Sequence, residues 1–127
     1  MSHACRALVA LLMVALAGCT GRPPTQAGGK PVRYWVQELD SSDPHRRRAA
    51  VEKLGNVGPA DSAARPGVLR ALRDTDARVR KEAVVALAKF GPPDPEAVTV
   101  LTELKANDPD AQVRNYAGRA LHAPANP

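Results

Sequence analysis

At 127 residues the chain has room for one small domain rather than two. It carries a formal charge of +5, and its aromatics are limited to Tyr34, Trp35, Phe90 and Tyr116, so any core must be built from Ala, Val and Leu. Its two cysteines, Cys5 and Cys19, both lie near the start, which excludes a disulfide framework or a cysteine zinc site farther along.

Arg6 supplies a short positive region, and Ala7 to Leu16 is an uncharged apolar run. The run is too short to span a bilayer and ends in small residues, as a secretory signal does. Leu16-Ala17-Gly18-Cys19 resembles the lipobox of bacterial lipoproteins. That resemblance implies a signal peptide over 1–18 and lipid attached to Cys19. It further implies an exported protein anchored by lipid at the cell membrane or outer membrane. Cys5 leaves with the signal. Residues 19–31 are then the lipidated cysteine and a flexible linker, because Gly, Pro and polar side chains leave nothing to bury. Such a linker has a reach of roughly 15 to 20 Å and keeps the domain near the membrane.

Pro31 suits the opening of a first helix, on which Val32, Trp35, Val36 and Leu39 form an apolar stripe. Trp35 sits on that stripe as an anchor sealing the end of the fold. Asp43-Pro44 gives an N-cap and a first-turn proline for a second helix running to about Asn56. Asp61 to Pro66 leads into a third helix, with Val68, Leu69 and Leu72 inward. Asp76 caps a fourth, on which Val79, Ala83, Val84, Leu87 and Phe90 share a face until Gly91-Pro92-Pro93 stops it. A fifth covers about Glu96 to Lys105, with Val100, Leu101 and Leu104 inward, and a sixth about Ala111 to Leu121. Residues 123–127 are expected to form a disordered tail.

The helix pairs are copies of one unit. Arg47, Arg80 and Arg114 recur at offsets of 33 and 34. Asp43, Asp76 and Asp110 precede them; Ala50, Ala83 and Ala117, then Leu54, Leu87 and Leu121, follow. Gly58-Pro59 and Gly91-Pro92 close the first two copies. A recurrence of this length marks a helical solenoid. The expected fold is an all-α superhelix of three helix pairs over 32–122, with repeats at about 32–58, 61–91 and 94–122.

Leu72-x-Asp74-x-Asp76-x-x-Val79-Arg80-x-x-Ala83-x-x-x-Leu87 resembles a HEAT repeat of the short phycobilisome-lyase-like subclass. The third copy, from Asp108 to Ala117, follows the pattern with two extra residues after Leu104. The first departs from it at Ser41 and Arg46. The resemblance implies a scaffold. It also implies a structural ladder in which a turn aspartate and a helix arginine link neighbouring repeats. Asp74 and Asp108 match that aspartate, and Arg80 and Arg114 match that arginine. Ser41 interrupts the ladder at the N-terminal end, where no earlier repeat requires it.

Catalytic chemistry has little to draw on. His45 and His122 stand far apart, and neither is followed by Glu. No serine sits beside a base, no glycine-rich loop could cradle a phosphate, and no carboxylates fall at metal spacing. The expectation is no enzyme, no cofactor and no metal. The family resemblance places the second helix of each pair on the concave side of the array. Opposite their apolar stripes these helices carry His45, Arg48 and Glu52; Arg78, Lys81, Val85 and Lys89; and Gln112, Asn115 and Arg119, with Tyr116 at the edge. The candidate partner-binding face is therefore Arg48, Arg78, Lys81, Lys89, Asn115, Tyr116 and Arg119. It is basic and suits an acidic segment of an unidentified partner protein. The reading is a membrane-anchored scaffold or adaptor at the bacterial cell envelope. Its rivals are a merely solvated face, binding of anionic lipid or envelope polymer, and an accessory subunit of a lyase-like enzyme. An export signal separates the chain from nucleic acid.

Overall fold

Three aspartates set the helical framework. Asp43, Asp76 and Asp110 each hold extended backbone angles, and each accepts a hydrogen bond from the amide two residues on: His45, Arg78 and Gln112, all at 2.8 Å. That contact satisfies an amide the first helical turn leaves without a partner. The computed structural model describes residues 25–123. The expected signal peptide, Cys19, the first part of the linker and the last four residues of the tail lie outside the described residues.

Among the described residues six α-helices follow one another: α1 Val32–Glu38, α2 Pro44–Val57, α3 Ala64–Ala71, α4 Ala77–Leu87, α5 Pro95–Asn107 and α6 Ala111–Leu121. They pair as α1 with α2, α3 with α4 and α5 with α6. The second helices α2, α4 and α6 pack side by side, and the first helix of each pair lies against its own second helix. This is the all-α helical solenoid that the repeat predicts. α5 runs two residues past the expected end, to Asn107, and so absorbs the two extra residues of the third copy.

The core follows the repeated positions. Ala50, Val51 and Leu54 of α2, Val68 and Leu72 of the α3 pair, and Val79, Ala83, Val84 and Leu87 of α4 are buried together with Ala97, Val100 and Leu101 of α5 and Ala117 of α6. Each such side chain contributes roughly 1.5 to 3 kcal/mol when fully removed from water, the alanines less. Leu69, Phe90, Leu104 and Leu121, all placed on inward faces, are only half-buried at the margin of this core.

The linker expectation needs correcting over residues 25–31. Gln26–Ala27 and Lys30–Pro31 form a short antiparallel hairpin, with Gln26 opposite Pro31 and Ala27 opposite Lys30. Gly28 and Gly29 make its two-residue turn at φ 54° and 73°, a combination that glycine adopts without steric cost. Trp35 holds the hairpin in place: its indole Nε1–H donates to the Ala27 carbonyl at 2.8 Å. The Val32 amide donates to the Thr25 carbonyl at 3.1 Å. Trp35 is thus half-buried beneath the hairpin, and the two together close the N-terminal end of the array.

Candidate functional site

The capping aspartates start α2, α4 and α6 in the same register, so each column of side chains continues from repeat to repeat. The innermost polar column is the arginine ladder. Arg47 Nε and Nη2 donate to the two carboxylate oxygens of Asp74 at 2.8 and 2.9 Å. Arg80 does the same to Asp108, at 2.8 and 2.9 Å. Each rung therefore runs from the arginine of one repeat to the turn aspartate of the next. This corrects the expected membership of the ladder. Arg47 belongs to it, whereas Arg114 has no carboxylate partner among the described residues. At the equivalent turn of the first repeat stands Ser41, which carries no carboxylate.

The two rung aspartates have a second task. Asp74 accepts from the Asp76 amide and Asp108 from the Asp110 amide, both at 2.9 Å. One carboxylate thus fixes the turn and joins two repeats. Burial by itself pushes the Asp108 pKa up, but the Arg80 bonds, the Asp110 amide and the nearby Arg114 charge outweigh it and hold the carboxyl below its usual range. Asp74, through its hydrogen bonds, in turn raises the Arg47 pKa above the ordinary guanidinium value.

The outer column holds the candidate partner-binding residues, and the structure brings them together through neutral or acidic partners. Arg48 Nε meets Glu82 at 3.1 Å. Lys89 Nζ donates to Asn56 at 2.6 Å and Lys81 Nζ to Gln112 at 2.9 Å. All three contacts join neighbouring repeats, Lys89 reaching α2 from the short turn that follows α4. Arg78 instead folds back on the Asp76 carboxylate, at 3.0 and 3.2 Å, and with its hydrogen bonds lowers the pKa of that cap to about 2. Of the partners Glu82, Gln112 and Asn56, Gln112 was expected on this face, whereas Glu82 and Asn56 were not. Their offsets of 34, 31 and 33 residues from the groups they meet lie close to the repeat length, and that is the signal that could have found the pairs.

Tyr116 is the centre of what remains open. Lys81 Nζ and Arg119 Cζ each lie 5.8 Å from its ring centroid, within cation–π range. Lys81, Ala111, Gln112, Asn115 and Tyr116 line one open depression on this face. Arg48 and Lys89 stand farther along the column, beyond that depression. The depression supplies one cation, an aromatic face and two side-chain amides, with the Arg119 guanidinium beside Tyr116. Among the described residues no group of three or more His, Cys, Asp or Glu side chains converges, and no helix is long and apolar enough to cross a membrane.

A family model describing HEAT repeats matches residues 32–122, which takes in all six helices. The chain belongs to the HEAT-repeat family. A comparison with curated proteins finds no match. In this HEAT-repeat protein the matched region begins at Val32, so the hairpin that caps Trp35 lies before it.

Proposed function

We propose that this HEAT-repeat protein is a scaffold whose second-helix face receives an acidic segment of a partner protein, and that a lipid on Cys19 tethers it to the envelope membrane. The observation that carries the binding reading is the depression around Tyr116, where Lys81, Gln112 and Asn115 converge with Arg119 beside them. Such a surface is open and extended, which suits a polypeptide better than a small molecule. Carboxylates of a bound segment would compete for Lys81 with Gln112, a neutral partner that is readily displaced. The charges act chiefly on encounter rate and salt sensitivity.

The test is site-specific photo-crosslinking in envelope fractions. A photoreactive side chain at Asn115 is compared with one at Thr99, which is exposed on α5. The reading expects one discrete adduct from Asn115 alone, weakened by salt and lost when Arg48, Lys81 and Arg119 are all changed to Glu. Equal adducts from both positions, or an adduct that survives the triple reversal at low salt, would refute it. The tether is tested separately. Cys19→Ser should abolish fatty-acid labelling and release the protein from the membrane fraction, and label retained by the serine form would sink that part.

A further inference from the structure

The last arginine of the ladder, Arg114, has no carboxylate partner among the described residues. Arg47 and Arg80 are positioned identically: one guanidinium nitrogen, Nη1, donates to two turn carbonyls, and the remaining edge takes the carboxylate of the next repeat. For Arg47 those carbonyls are Ser41 and Ser42, at 2.9 and 3.2 Å. For Arg80 they are Asp74 and Thr75, at 2.8 and 3.2 Å. Arg114 repeats the first half of this arrangement, with Nη1 donating to Asp108 and Pro109 at 2.7 and 3.2 Å. Its Nε and Nη2 edge has no carboxylate among the described residues. The fork is held in the orientation that receives an aspartate, and its site is half-buried.

The apolar surroundings point the same way. Leu54 is fully buried under the second repeat and Leu87 is 4% exposed under the third, while the equivalent Leu121 remains half-exposed. Ala86 is buried, and its counterpart Ala120 is not. A guanidinium fork beside a partly uncovered apolar seam is what each earlier repeat offers to the one that follows it.

We propose that the C-terminal end of the array, at Arg114 and Leu121, is a docking surface for a helix-turn-helix element of a different protein, which supplies an aspartate to the fork and so continues the ladder between chains. A second copy of this chain does not fit that role. At the position the fork would meet, it carries Ser41, whose hydroxyl accepts from the Asp43 amide at 3.2 Å and has no charge to offer. The N-terminal hairpin and Trp35 also cover that end. The surface is distinct from the depression at Tyr116.

A peptide with the sequence of residues 92–123 of this chain serves as the probe, since it contains the Asp108 turn that already satisfies Arg80. It is titrated to about 1 mM into the full-length protein while the arginine Nε–H signals are followed by NMR, a range that detects weak docking. The Nε–H of Arg47 and Arg80 should be protected from exchange throughout, and that of Arg114 should become protected only when the probe is added. A probe with Asp108→Asn should bind about tenfold more weakly, the loss expected when a charge-assisted pair becomes neutral. Arg114→Lys, which keeps the charge but not the fork, should abolish the difference between the two probes. The proposal is overturned if Arg114 Nε–H is already protected in the free protein, if neither probe shifts it, or if both shift it equally. Probe-induced shifts confined to Lys81 and Tyr116 also overturn it.

Discussion

Arg80 and Asp108 join the second and third repeats through a bidentate ion pair buried on both sides, with 11% and 2% of their side chains exposed. Each partner is held twice over. Arg80 also bonds the Asp74 and Thr75 carbonyls, and Asp108 also bonds the Asp110 amide. A buried pair of this kind offers little net stability over an apolar pair, but loss of one member leaves an uncompensated charge in the interior.

Arg80→Ala should therefore cost about 3 to 5 kcal/mol of unfolding free energy. Arg47→Ala should cost less, because the Arg47–Asp74 pair is the more exposed at 13% and 12%. Arg114→Ala, which among the described residues removes only carbonyl bonds, should cost about 1 kcal/mol. Chemical denaturation of the three variants checks the order Arg80, Arg47, Arg114. An equal loss at Arg114 would mean that its carbonyl bonds, not the rungs, hold the repeats.

Acid should weaken the fold over a defined window. Arg78 lowers the Asp76 carboxyl from 3.8 to about 2, and Asp108 is also depressed once Arg80 has offset its burial. A depressed folded-state pKa gives stability that is fully present above the unfolded value and is lost as pH falls through the folded one. The melting temperature should thus drop between pH 3.8 and about 2. Asp76→Asn keeps an oxygen able to cap Arg78 N–H but no longer titrates, so thermal melts of this variant should show a shallower fall in that window.

A close approach between α2 and α4 falls at Gly55 and Ala86. A Cβ placed on Gly55 would lie 2.7 Å from the Ala86 Cβ and 3.0 Å from its Cα, so α2 and α4 would have to move apart. Gly55→Ala gains about 1 kcal/mol in helix propensity. Overpacking in a close contact costs about 1 to 3 kcal/mol and should win, leaving a net loss near 1 kcal/mol. Ala86→Gly should be less costly in the Gly55→Ala background than in the parent, by about 1 kcal/mol. A double-mutant cycle measured by urea unfolding reads this directly, and strict additivity would show that the helices adjust freely.

The repeat could be read from the sequence because Asp43, Asp76 and Asp110 serve as local caps and Leu54, Leu87 and Leu121 recur on one helical face. Both signals depend on neighbours within a turn or two. Contacts between repeats were less legible. The same four residues, Asp74, Arg80, Asp108 and Arg114, are compatible with rungs running either way along the chain, and only packing decides that Arg47 has a carboxylate and Arg114 has none among the described residues. The hairpin at Gln26–Pro31 was hidden for a similar reason. Gly28-Gly29 is a turn signal, but its flanks have no apolar alternation, and the order comes from Trp35 reaching back to Ala27. The close fit at Gly55 has no local signal in the sequence, since nothing near it reveals that Ala86 will press against it.

Tyr116 links the candidate face to the stability of the third repeat. Its ring packs against the core on one side and lies 5.8 Å from both Lys81 Nζ and the Arg119 guanidinium on the other. Two partly exposed cation–π contacts contribute about 0.5 to 1 kcal/mol each. Tyr116→Phe retains the ring and both cations, so its unfolding free energy should stay within about 0.5 kcal/mol of the parent. Tyr116→Leu fills much of the same space but presents no π face, and should lose about 1 to 2 kcal/mol. The two variants also separate ring from hydroxyl in binding. If the ring positions Lys81 and Arg119 for an acidic segment, the Asn115 photo-adduct should persist in Tyr116→Phe and disappear in Tyr116→Leu. Loss in both would assign the contact to the phenolic oxygen, and retention in both would place the partner away from Tyr116.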